Sequence, residues 1–146
     1  MQYLYAAEIS DFEDTKEHYK NLTNSIYSLH YLFLLQISFM IEILKKAKDK
    51  YNISQHSVIG NVSDKYSNKK FSENIFLNDL ASNLKIVGLL KSNDLIDWEV
   101  DYKYVNITYD KIINSEIYDS YMKSKINSFA DDLMFVYDIF KEIIIV

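Results

Sequence analysis

The chain has 146 residues, about half of them hydrophobic and a quarter charged, and carries a formal net charge of −5 at pH 7. That composition is globular rather than disordered and fits one domain with a real core; the absence of Cys excludes a disulfide-stapled scaffold, a thiolate metal site and a Cys nucleophile. All sixteen basic residues are Lys, so a net-acidic chain lacks the planar fork that phosphate and guanine recognition prefer, which disfavours a stand-alone nucleic-acid binder.

With no Pro and two Gly, a turn-rich β-sandwich is disfavoured and long helices are favoured. The fold class read from the sequence is all-α. The chain is expected to form a single helical domain, 1–146, as an irregular multi-helix bundle around one long central helix. Residues 1–10 read as a short apolar helix. The acidic break Asp11-Phe12-Glu13-Asp14 caps the next helix, which reads as continuous over 15–50 with Tyr19, Leu22, Ile26, Leu29, Phe33, Ile37, Met40, Ile41 and Leu44 at the 3.6 period. Its middle is apolar nearly all round, which predicts burial on several sides. No heptad repeat long enough for a coiled coil is expected. Residues 51–70, rich in Asn, Ser and Lys, read as an internal flexible loop.

A second amphipathic helix is expected over 71–90. Asp97 is expected to cap a helix running to Asn114, Ser115 a short helix holding Tyr118 and Tyr121, and Ser128 a final helix. Ser128 with Asp131 three residues on resembles a capping box, and the face Leu133, Val136, Ile139, Phe140 and Ile143 is expected to be buried. The chain then runs into Ile143-Ile144-Ile145-Val146, a C-terminal end more apolar than helices usually have, and these four residues are the candidate partner or self-association interface.

Secretion and membrane insertion are both disfavoured. Met1-Gln2-Tyr3-Leu4-Tyr5 lacks a basic start and meets Glu8 too soon for a signal peptide, so a cytoplasmic location is expected. The apolar stretch 26–44 is interrupted by His30, Gln36 and Glu42, which makes a buried helix the better reading than a membrane span.

Catalytic chemistry finds no constellation, and no cofactor or metal is expected. His18, His30 and His56 lack metal-ligand spacing, and His30 is expected as a hydrogen-bonded core or boundary residue. Asp131 and Asp132 read as capping carboxylates in a first helical turn rather than an acid–base pair. The tyrosines Tyr102, Tyr104, Tyr109, Tyr118 and Tyr121 have acidic neighbours and read as packing residues rather than base-stacking platforms. The one basic patch is Lys45, Lys46, Lys48, Lys50, Lys65, Lys69 and Lys70; a solvated helix end is its first reading and a phosphate site its second. Lys45, Lys46, Lys48, Lys69 and Lys70 are the RNA-contact candidates.

Two segments together resemble a known family. Met1-Gln2-Tyr3-Leu4-Tyr5-Ala6 resembles the Q-x-L-Y signature near the start of NusB-like transcription antitermination factors. Trp98-Glu99-Val100-Asp101-Tyr102, Ile117-Tyr118-Asp119-Ser120-Tyr121-Met122, Phe129-Ala130-Asp131-Asp132 and the run from Phe135 to Ile144 resemble the insert and following helix of the longer branch of that family. The resemblance covers this whole chain but only the N-terminal portion of such a protein, which implies a sequence truncated at both ends. It implies an all-helical, non-enzymatic factor that binds a boxA-like RNA and a small-subunit ribosomal protein. Because the family's Arg-rich segment precedes the motif, RNA binding is expected to be impaired here. The alternative is a self-sufficient helical interaction or oligomerisation module that uses its apolar C-terminal end, and a homo-oligomer is the partner expected in that case.

Overall fold

A computed structural model describes residues 12–56, 69–93, 98 and 100–144. Among them every regular element is helical. The fold is all-α, as the composition implies.

Helix α1, Phe12–His56, is 45 residues long, about 68 Å at 1.5 Å per residue. Nothing in its sequence breaks it, since no Pro or Gly falls within those bounds. Its hydroxyls are absorbed by the helix itself: Thr23, Ser25 and Ser28 each donate to the carbonyl four residues back, at 2.9, 2.9 and 3.0 Å. The helix runs through 51–56, so that part of the expected loop is helical; 57–68 lie outside the described residues.

The expected helix over 71–90 is instead three: α2 (Lys69–Ser72), α3 (Ile75–Ser82) and α4 (Leu84–Ser92). Asparagines make the breaks. The Asn74 side chain accepts from the Leu77 N–H at 3.0 Å, and Asn83 accepts from Lys85 and Ile86 at 3.0 and 3.2 Å. Each Asn thereby starts a helix where the apolar period alone suggests continuation.

Helix α5, Tyr102–Ile113, starts later than expected: Asp101 occupies the N-cap position without a side-chain bond, and Asp97 lies outside the described residues. Trp98 ties this region to α1, donating from Nε1 to Ser38 Oγ at 2.9 Å with its ring against Phe39. Ser115 and Ser128 act as read from the sequence. Ser115 caps α6 (Glu116–Lys123) by accepting from Tyr118, and Ser128 caps α7 (Phe129–Ile139) by accepting from Asp131. A π-helical turn, Phe140–Ile144, continues α7 and packs on α5.

The core joins the C-terminal half of α1 (Met40, Ile43, Leu44, Ala47) to Phe71, Leu77, Val105, Tyr109, Ile112, Tyr118, Tyr121, Phe135, Val136 and Ile139. Phe71 is its aromatic centre, with the rings of Tyr109, Tyr118 and Phe135 at 6.2, 6.0 and 5.5 Å. One expectation about burial is corrected here. The inward face of α7 is rotated: Asp132, Phe135, Val136 and Ile139 are buried while Leu133 is exposed. Of the C-terminal apolar run, Ile143 and Ile144 pack, half-buried, against the core; Ile145 and Val146 lie outside the described residues.

The largest correction concerns α1. Every residue from Ile26 to Phe33 is exposed, His30 among them, so His30 is not a core residue and the stretch is not enclosed. The most apolar window of this helix has a mean hydropathy of 1.5 yet is only 17% buried. Length explains it. The other described helices have 4 to 12 residues, about 18 Å at most, so they cover only part of a 68 Å rod. The long helix is central over its second half and projects as an arm over its first.

Candidate functional site

Two places concentrate unusual chemistry. The first is a buried polar hub where α2, α3, α6 and α7 meet. Asp132 is 4% exposed and its carboxylate accepts from the Tyr121 hydroxyl at 2.7 Å and from the Ile75 N–H at 2.8 Å. It thus supplies a negative charge to the first turn of α3 from another helix. Asn74, fully buried, donates to Tyr121 Oη and to the Asp132 carbonyl at 3.3 and 3.4 Å. Lys70 acts at the opposite kind of terminus, donating to the carbonyls of Tyr121 and Ser124 at the end of α6, at 2.6 and 2.8 Å. A tertiary anion caps one helix start and a tertiary cation caps one helix end.

This hub is saturated, and its groups are spent on structure. Burial pushes the Tyr121 hydroxyl well above the usual tyrosine range, and its bond to Asp132 adds to the shift. Burial likewise raises Tyr109 and Tyr118. These hydroxyls stay protonated and offer neither a base nor a nucleophile near neutral pH. A cleft of about 560 Å³ beside the hub is lined by Lys69, Lys70, Glu73, Asp132 and neighbours of mixed charge. No group of three or more metal-ligating side chains occurs among the described residues.

Three of the lysines singled out in the sequence are engaged within the fold, and Lys65 lies outside the described residues. Lys45 pairs with Glu42 at 2.6 Å, Lys46 lies over the Tyr102 ring at 5.2 Å, and Lys70 is committed to the hub. Lys48 and Lys69 are solvent-exposed.

The second place is apolar. At the base of the arm, α3 and α7 wall a groove of about 300 Å³ against α1, formed by Phe33, Gln36, Ile37 and Met40 with Phe76, Leu80, Leu133, Val136, Tyr137 and Phe140. From there the arm carries Phe33, Leu29, Ile26 and Tyr19 outward, 58, 66, 58 and 73% exposed. Tyr27, Tyr31 and Leu32 are exposed on its other sides. Together the groove and arm form an apolar surface far beyond scattered single side chains, the kind that marks an interaction site. The sequence signals were present, as the helical period of α1 and the apolar fill around it, but they do not say where the covering helices end. No protein-family model, curated protein or solved structure matches this chain.

Proposed function

We propose that this protein is a non-enzymatic helical interaction module that binds a macromolecular partner through the arm of α1 and the groove at its base. The supporting observation is the unbroken exposure of the apolar stretch from Ile26 to Phe33 beside a saturated polar hub. The module is the kind expected as the alternative from sequence, with its surface moved from the C-terminal run, where Ile143 and Ile144 are packed, to the arm of α1 and the groove at its base. A photo-cross-linking side chain placed at Leu29 or Phe33 in the cell is expected to give a discrete adduct, while one at exposed Lys103 gives none. Absence of an arm adduct, or equal labelling at both places, sinks the reading.

A second reading takes up the resemblance: a NusB-like antitermination factor that contacts a boxA-like RNA and a small-subunit ribosomal protein. What supports it is the exposure of Lys48 and Lys69, on α1 and on the α2 that packs against it. The engagement of Lys45, Lys46 and Lys70 elsewhere weakens it. Fluorescence anisotropy with a boxA-like RNA at low salt is decisive: sub-micromolar binding lost in Lys48→Ala/Lys69→Ala supports this reading, and salt-independent or absent binding removes it.

A further inference from the structure

We infer that the arm's partner is a second copy of this chain, and that the two arms pair antiparallel, each tip lying in the groove at the base of the other; this rests on the arm being an interface at all. Three observations carry it. The first is continuity. Tyr19, Leu22, Ile26, Leu29, Phe33, Gln36, Met40, Ile43 and Ala47 fall at alternating spacings of three and four, a single seam along α1 that corrects the expectation of no sustained heptad repeat. Its second half is already the core, with Met40, Ile43 and Ala47 buried, whereas Tyr19, Ile26, Leu29 and Phe33 on the first half are exposed. A seam covered by other helices at one end needs a helical cover at the other.

The second observation is self-complementarity. In an antiparallel pair the two kinds of seam position face one another, and one register places Phe33 against Leu22 of the other copy, Ile26 against its Leu29, and Tyr19 against its Gln36. That register closes on itself by a two-fold axis, which makes a finite dimer rather than a fibre. It also brings the tyrosine hydroxyl to Gln36, the amide in an otherwise apolar groove, one polar pair of the sort that sets register. A parallel pair places both bodies over the same stretch of α1, where α3 and α7 already wall the groove. In the antiparallel pair each body faces the other copy's arm instead.

The third is area. The arm from Tyr19 to Phe33 is about 23 Å long, and half the side of a rod about 10 Å across gives roughly 350 Å² per copy. Two copies give about 700 Å², and the two grooves, each taking the other copy's arm, bring the total to the order of the 1,000 Å² that a specific interface needs. A membrane fits less well. The stretch exposed on all sides spans only residues 26–33, about 12 Å, against a hydrocarbon core of about 30 Å, and beyond it α1 is held in the core by Met40, Ile43 and Leu44.

Sedimentation velocity of the full chain over a concentration series tests this. A monomer–dimer equilibrium is expected at micromolar concentrations, weakened about 100-fold or more by Leu29→Glu, since that change buries a carboxylate in the pair. Leu29 is exposed in the single chain, so the helical circular dichroism and unfolding midpoint of the dilute variant are expected to match wild type; that keeps loss of pairing distinct from loss of fold. A wild-type chain that stays monomeric at about 100 μM overturns the inference, as does a dimer indifferent to Leu29→Glu. The in-cell cross-link separates the levels: an arm adduct of another mass keeps the interaction reading and removes the second copy, and no arm adduct removes both.

Discussion

Replacing Asp132 by Ala is the sharpest test of how the bundle is held together. The side chain is 4% exposed and takes two short bonds, from Tyr121 at 2.7 Å and Ile75 at 2.8 Å. Hydrogen bonds to a charged group contribute about 1.5–3 kcal/mol each, so two give roughly 3–6 kcal/mol. The loss is offset because the variant no longer dehydrates a carboxylate, and because Tyr121 still lies 3.3 Å from the Lys70 carbonyl as a second acceptor. The net cost expected is about 3 kcal/mol, a large share of the roughly 5–15 kcal/mol that holds a domain of this size. Asp132→Asn keeps an acceptor oxygen but turns an NH₂ toward a donor, and is expected to cost about half as much. Tyr121→Phe is expected to cost about 1–2 kcal/mol, and the double variant Asp132→Ala/Tyr121→Phe about 1 kcal/mol less than the sum, because the two share one bond. Urea unfolding followed by far-ultraviolet circular dichroism reads all four variants. A cost below 1 kcal/mol for Asp132→Ala, or strict additivity in the double variant, refutes the hub as a structural tie.

Lys70→Met, which strips two carbonyl caps from α6, is expected to lower unfolding stability by about 1–2 kcal/mol, whereas Lys69→Ala next to it changes it by less than about 0.5 kcal/mol; equal effects in urea titration contradict the assignment. Tyr109, Tyr118 and Tyr121 are raised above the unfolded value of about 10. The stability tied to their protonated forms is therefore complete below about pH 10 and falls above it, at up to about 1.4 kcal/mol per pH unit for each; unfolding midpoints that hold steady from pH 9 to pH 11 refute this. His30→Ala is expected to leave the dilute chain's thermal transition unchanged, because His30 is exposed; a drop of more than about 1 kcal/mol places it in a core.

Local rules made much of the fold legible in the sequence. Ser115 and Ser128 cap helices because a hydroxyl before an apolar run has few other uses, and the signal sits within four residues. The same logic at Asn74 and Asn83 was hidden by helical periodicity running across both breaks from Phe71 to Leu90. Asp132 shows where local reading stops. From sequence it is a first-turn carboxylate like Asp131, but its carboxylate bonds Ile75 and Tyr121, 57 and 11 residues away. The arm was hidden for a different reason. An all-round apolar helix reads as buried, and burial depends on the length of its neighbours, which periodicity within the helix itself does not carry.

Disulfide trapping probes the uncovered seam of α1 most directly, because the chain has no cysteine of its own. Ile26→Cys and Leu29→Cys proteins would be mixed under a glutathione redox buffer, with Lys103→Cys as the surface control. Antiparallel pairing is expected to give chiefly the mixed I26C–L29C disulfide, at a yield well above any control adduct. Homodisulfides of each variant in preference to the mixed one would contradict the register, and yields no higher than the Lys103→Cys control would contradict the pairing of the arms.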